Sequence, residues 1–256
     1  MDINLQWKEA AAVITLQNPP LNVLTDTLLS QLDEAVEEVL HSEQARVVIV
    51  TTAGEKAFAA GADISQFPTL TKQTGIELVN KGKRIFNKLA NAPFPVLCAM
   101  NGMALGGGFE LALACDIRIA EEHAKIGFPE TGLGIIPGYG GTQRLSRLIG
   151  PGKAKELIFS GETLTAEEAY RLGIAEHIVS AGGGLEKAEE LAEKMVRNSP
   201  LALSKAKRAV NEGLGQTMES GQALESELFG ELCESEDKQE GVQAFMEKRK
   251  PEFAGK

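Results

Sequence analysis

The sequence predicts an α/β fold: parallel strands joined by helical crossovers, followed by an all-helical C-terminal segment. Three observations carry this. Buried-looking strands such as Arg46–Thr51 (RVVIVT) and Val96–Met100 alternate with helix-patterned stretches. The order strand, loop, helix, strand recurs in rough form from residue 11 to residue 120, which is the pattern of a layered sheet with crossovers. From Leu185 onward the hydrophobic spacing is almost entirely helical.

In chain order, Ala11–Leu16 (AAVITL) is β-prone, and the prolines of residues 18–22 (NPPLN) end it, because proline removes a backbone donor and fixes φ. Residues 25–40 place Leu28, Leu29, Leu32, Val36, Val39 and Leu40 at helical spacing, with Thr25 or Asp26 as the cap. After the strand at 46–51 comes a Gly/Ala-rich loop at 53–64, then a polar, irregular stretch at 65–74. Residues 77–90 return to helical periodicity, ended by Pro93 and Pro95. The strand 96–100 runs into Gly106-Gly107-Gly108 and a short apolar helix at 109–114, and Asp116–Ala120 is a further strand. Short helices are expected over 142–149, 154–159 and 164–173. The last carries a capping box of Thr165 and Glu168, with Gly173 as its C-cap. Residues 174–179 read as a short strand, and AGGG at 181–184 as a break. Helices over 185–198, 201–212, 217–232 and 238–248 complete the chain. The composition shift near residue 200 divides an α/β core, residues 1–199, from a helical module, residues 200–256.

Composition sets bounds. The 256 residues carry 26 basic and 36 acidic side chains, a formal net charge of −10. That balance argues against a general nucleic-acid binder, which needs positive field at the phosphates. Cys98, Cys115 and Cys233 form no CxxC pair, so neither a disulfide scaffold nor a structural zinc site is expected. No run approaches the roughly 18 apolar residues of a membrane span. The first residues, MDINLQWKEA, lack a basic region followed by an apolar one, so no signal peptide is expected.

The chemistry concentrates between Cys98 and Arg147. A strand running through three glycines into a helix leaves unpaired N–H groups at the helix start. Such donors stabilise an oxygen that gains negative charge. AAGADI at 59–64 also follows a buried strand and contains a glycine, so it is the candidate for a second donor. Neither loop holds GxGxxG or GxxxxGK[ST], which removes the usual warrant for NAD or ATP. Glu110 lies among Phe109, Leu111 and Ala112, and Glu130 lies in FPETGLG. Two carboxyl groups facing one pocket divide acid and base work, but spacing alone does not make them face each other. No GxSxG elbow is present. His41, His123 and His177 are scattered and read as surface or capping residues. Asp63 reads as a cap for the following turn, Asp116 as half of a buried salt bridge, and Arg144 and Arg147 as partners of carboxylates on packed helices.

These stretches resemble the crotonase (enoyl-CoA hydratase/isomerase) superfamily, closest to short-chain enoyl-CoA hydratase. The resemblance rests on AFAAGADI (57–64), NGMALGGGFELALACDIRIA (101–120), FPETGLGIIPGYGGTQRL (128–145), LTAEEAYRLGIAEHIV (164–179) and AFMEKRKPEF (244–253). It implies a crotonase-like spiral of ββα units with a C-terminal helical trimerisation module, assembled as a homo-trimer or as a hexamer of two trimers. It implies an oxyanion hole from the N–H groups of Ala62 and Gly107. Glu110 and Glu130 would be the catalytic pair that adds water across the C2–C3 double bond of a trans-2-enoyl-CoA. Ala60, Asp63, Ile64 and Gly138 would border substrate or coenzyme A, and Phe245 and Lys248 would complete the coenzyme A site of a neighbouring subunit. No metal or redox cofactor is implied, coenzyme A being part of the acyl-CoA substrate, and no nucleic-acid or membrane partner is expected. A cytoplasmic location fits intracellular thioesters. Within the superfamily the alternative is a Δ3,Δ2-enoyl-CoA isomerase or another acyl-CoA lyase or decarboxylase, but two retained glutamates point to hydration. A scaffold or RNA-binding role is disfavoured by the same glutamates and by the acidic balance. A nucleotide-dependent oxidoreductase is disfavoured by the missing fingerprint.

Overall fold

The computed structural model describes residues 2–256. Its strands form two sheets, and each repeat of the chain adds one strand to each. The repeating pieces are β3 (Val47–Thr52), β4 (Ala57–Ala59) and α2 (Lys72–Ala90), then β5 (Val96–Met100), β6 (Met103–Leu105) and α3 (Gly107–Ala114). The third repeat is β7 (Ile117–Glu121), β8 (Lys125–Gly127) and α4 (Gly141–Ile149). The larger sheet has the order β1-β2-β3-β5-β7-β10, where β1 is Ile3–Lys8, β2 is Ala11–Leu16 and β10 is His177–Val179. The smaller has the order β4-β6-β8-β9, with β9 at Thr163–Thr165. From β2 to β10 the larger sheet is parallel, registered by pairs such as Ile49↔Leu97 and Ala99↔Ile119, and only β1 runs antiparallel. This is the expected ββα spiral.

The inner strands of the larger sheet, β2, β3, β5 and β7, are buried on both faces, which is why β2, β3 and β5 read as apolar runs. Val48, Val50, Cys98 and Met100 face the main core with the buried stripe of α1 (Asp26–Leu40) and with Ile85 and Phe86 of α2. Val13, Ile49, Leu97 and Ile119 face Ala188 and Ala192 of α7 (Gly184–Val196). Small residues on α7 let the helix lie close to the sheet.

Most helix boundaries follow from caps. Thr25 caps α1, its hydroxyl accepting the Leu28 N–H at 3.1 Å. After α5 (Pro151–Ser160), Thr165 and Glu168 form the expected capping box of α6 (Ala166–Arg171). Its C-cap is Leu172, with Gly173 next in the left-handed region at φ +73°. The irregular stretch expected over 65–74 is instead a 3-10 helix, Ile64–Thr69, followed by the first turn of α2. A reciprocal Thr71–Thr74 box starts that helix five residues before its apolar pattern begins.

Beyond residue 199 the chain is helical: α8 (Pro200–Gly213), α9 (Met218–Cys233) and α10 (Glu236–Glu247). Lys207 of α8 ties this segment to the sheet, donating to Asp116 at 2.8 Å and to the Phe94 carbonyl at 3.0 Å. Asp116 therefore has the salt bridge expected of it. The last residues fold back along α10 onto Asp237, which is 2% exposed. Its carboxylate accepts from the Ala254 and Gly255 amides at 2.8 and 2.9 Å and from the Ser199 hydroxyl at 2.7 Å. Arg144 and Arg147 depart from expectation. Among the described residues neither donates to a carboxylate: Arg147 reaches back to the Gln143 carbonyl and side chain, and Arg144 serves the loop described below. Among the described residues, no helix is long and apolar enough to cross a membrane.

Candidate active site

The site is assembled from two backbone turns and two carboxyl groups. Strand β6 ends at Leu105, Gly106 makes the turn and α3 begins at Gly107, and each of the three glycines answers a different constraint. Gly106 adopts φ 51°, ψ −124°, a region open essentially to glycine alone. A side chain on Gly107 would meet Tyr139 and Leu24, and one on Gly108 would run into the Ala59 backbone of β4. The Gly107 N–H is the first of α3 and has no intrahelical acceptor.

The second turn, residues 60–63, is pinned to the segment after the β2 loop. The Ala60 N–H donates to Leu21 O, and Leu24 N–H donates to Gly61 O, both at 2.9 Å. This leaves the Ala62 N–H outside the pairing. Gly61, at φ +98°, packs beside Leu105 and Gly107, so the two turns abut. Among the described residues, neither the Ala62 nor the Gly107 N–H donates to a protein acceptor.

Glu110 lies one turn into α3, a helix buried along its whole length, and is 2% exposed. Its Oε1 accepts the Tyr139 and Gly141 N–H groups, each at 2.7 Å. Gly141 is the first residue of α4, so the carboxyl group sits at a helix N-terminus, where negative charge is favoured. Burial raises its pKa, and the Gly141, Tyr139 and Gly138 amides together with the Arg144 charge counter that rise. Arg144 braces the same loop from the other side, donating to Tyr139 O at 3.0 Å and to Asn87 at 2.7 Å.

Glu130 begins a one-turn 3-10 helix, Glu130–Leu133. It is buried, and among the described residues its Oε2 has no hydrogen-bond partner. Burial first, and the neighbouring Glu110 charge as well, push its pKa up to about 7. The two carboxyl groups thus share a cleft but differ in kind: one is solvated by amides, the other is bare. Environments that split a carboxyl pair in this way assign one as base and the other as acid.

Ala60, Ala62, Ile64, Gly107, Glu110, Glu130 and Gly138 all line this cleft, which encloses about 90 Å³. Asp63 does not line it; its carboxylate caps the following 3-10 helix by accepting the Ser65 N–H at 3.0 Å. Phe245 and Lys248 also lie elsewhere. Phe245 projects from α10, 85% exposed, and Lys248 follows it with φ +57°. The walls contain residues that sequence reasoning passed over: Phe67, Leu78, Val79, Leu133, Ile136 and Tyr139. For Tyr139 a signal existed, because Gly138 to Gly141 repeats the glycine-before-helix pattern of 106–108.

The chain matches the model of a family described as enoyl-CoA hydratase/isomerase over residues 6–256. It is 43% identical over 256 residues to a short-chain-enoyl-CoA hydratase of Clostridium acetobutylicum, covering 98% of each chain. It is 38% identical to a crotonyl-CoA hydratase of Syntrophomonas wolfei, covering 100% of this chain and 98% of that one. The 1.8 Å crystal structure of an enoyl-CoA hydratase from Bacillus anthracis superposes with a TM-score of 0.96 at 40% identity, covering both chains in full.

Proposed function

The chain belongs to the enoyl-CoA hydratase/isomerase family, and from that premise we propose that it adds water across the C2–C3 double bond of a trans-2-enoyl-CoA to give a 3-hydroxyacyl-CoA. The observation that carries this reading is the pairing of Glu110 and Glu130 in one cleft, in contrasting environments, beside two unused backbone donors.

The thioester carbonyl accepts the N–H groups of Ala62 and Gly107. These donors favour the enolate oxygen over the ground-state carbonyl; one such donor is worth about 3 kcal/mol. Polarisation makes C3 electrophilic. A water held between the carboxyl groups forms the O–C3 bond and gives a proton to Glu110. The π electrons move to the enolate, and Glu130, protonated up to about pH 7, delivers its proton to C2. Passing the proton from Glu110 back to Glu130 resets the pair. Coenzyme A is the handle of the substrate, and the electron and proton balance calls for no further cofactor.

The reading extends to a homo-trimer or hexamer in the cytoplasm, with Phe245 and Lys248 completing the coenzyme A site of a neighbour. Its support is the run of exposed apolar side chains on the C-terminal helices: Val210, Leu214, Met218, Phe229, Val242, Phe245 and Met246. The test follows the loss of enoyl-thioester absorbance with crotonyl-CoA. The parent should hydrate it, and Glu110→Gln and Glu130→Gln should each lose about 10²–10⁴-fold. A parent that leaves 2-enoyl-CoA untouched but converts a 3-enoyl-CoA to its 2-isomer would show an isomerase instead.

A further inference from the structure

The cation beside the base bonds only to neutral groups. Among the described residues Arg144 donates through Nη1 to Tyr139 O at 3.0 Å and through Nη2 to Asn87 Oδ1 at 2.7 Å, and to no carboxylate. Lys88, the residue of α2 that follows Asn87, is treated differently, being ion-paired to both Asp33 and Glu37 of α1. The guanidinium also lies in an electrostatically awkward place. It folds back onto the start of its own helix, where a Cβ on Gly140, the N-cap of α4, would stand 2.4 Å from Nη1. A helix N-terminus favours anions, so a cation laid there is unfavourable unless an anion answers both. Glu110 is that anion. It accepts the Tyr139 and Gly141 amides, while the carbonyl of the same Tyr139 accepts the guanidinium. Burial lowers the Arg144 pKa and the Glu110 charge opposes that fall. Each group is thus a counter-charge of the other.

Asn87 decides where the Arg144 charge is felt. Its amide oxygen holds the outer side of the guanidinium and brings no negative charge. A carboxylate in its place would make the stronger, charge-assisted bond, and would cancel the field that reaches the base. We propose that Asn87 is a positioning residue for hydration, tethering Arg144 against the 138–141 loop and, being neutral, leaving the guanidinium charge to Glu110. The proposal rests on the hydratase reading and adds a residue outside the cleft that tunes its base. The titratable groups facing Glu110 are Arg144 from α4, Glu130 from the 3-10 helix and the Tyr139 phenol from the loop. Cys115, at the end of α3, faces the guanidinium, and Asp26 of α1 faces the phenol. From α2 the group in contact is the uncharged Asn87.

The experiment is the pH dependence of kcat/KM for crotonyl-CoA in the parent, Asn87→Asp and Asn87→Ala, each repeated with Arg144→Met. The acid limb reports ionisation of the base, and the basic limb reports loss of the proton from Glu130. In Asn87→Asp the acid limb should move up by roughly one pH unit while the basic limb stays, although the protein melts no lower than the parent. Asn87→Ala loses the tether but adds no charge, and should move the same limb by less. With Arg144→Met in place both shifts should be lost, because residues that act through one another do not add. An unmoved acid limb in either single variant overturns the proposal. So does a shift of equal size with and without Arg144, which would be direct repulsion by the new carboxylate. Movement of both limbs together overturns it as well, since that would be a general loosening of the cleft. A parent that leaves crotonyl-CoA untouched at every pH defeats the hydratase reading, and this proposal with it, before any variant is made.

Discussion

Oε1 of Glu130 occupies the place where a side chain on Gly106 would have to go: a Cβ there would stand 2.7 Å from it. The positive φ of Gly106 and this contact are separate reasons for the same residue. Gly106→Ala should therefore displace the acid while straining the backbone by roughly 1–3 kcal/mol. Hydration of crotonyl-CoA should fall about 100-fold or more. Circular dichroism should show the fold retained with a lower melting temperature.

Glu130 is also a stability liability, and its sign can be worked out. Its folded pKa, about 7, lies above the ordinary 4.5. Between those values the folded protein keeps a proton that the unfolded chain has released. The associated stability is complete below pH 4.5 and is lost as pH rises through 7. The shift corresponds to roughly 3 kcal/mol at most, less whatever solvent at the cleft mouth screens. Glu130→Gln should thus melt several degrees above the parent at pH 8, with the gap narrowing at pH 5, while losing its activity. Paired thermal melts at the two pH values check this.

Arg144 offsets the burial of Glu110. The other groups near that carboxyl are Glu130, whose own pKa the Glu110 charge helps to raise, and the Tyr139 phenol, itself pushed up to about 12 by burial and by carboxylate charge. Removing the cation in Arg144→Met should raise the Glu110 pKa further. Because the base acts ionised, the acid limb of the kcat/KM profile should move to higher pH. Arg144→Lys keeps the charge and should restore much of the limb. A pH–rate series on the three proteins gives the answer.

Asp237 is a structural test case. Asp237→Ala leaves the Ser199 hydroxyl and the Ala254 and Gly255 amides without their acceptor. A buried group so orphaned costs about 1–3 kcal/mol. Hydrogen exchange should speed up through residues 250–256 and α10 and stay unchanged in β3 and β5.

How far the sequence was legible depends on the range of each interaction. Thr25, Thr165 and the glycine turn at 106–108 act within four residues, and each sits where its local pattern put it. The four three-residue strands β4, β6, β8 and β9 are too short to show a period, so the second sheet was unreadable. The start of α2 was missed because its first turn is polar and held by a Thr–Thr box rather than by burial. Asp237 carries no local sign of its role, since the returning tail supplies two of its three donors. The encounter of Glu110 with Glu130 needs the 138–141 loop, whose amides come from a separate element. No spacing along the chain announces that.

Tyr139 meets the cleft twice, through its backbone N–H at Glu110 and through its ring at the wall. The grip on the base therefore survives replacement of position 139 by any residue except proline, which has no N–H. Substitutions at this codon reshape the cleft wall while the acid–base pair stays held. Position 139 is thus a place where the shape of the cleft and its chemistry change independently.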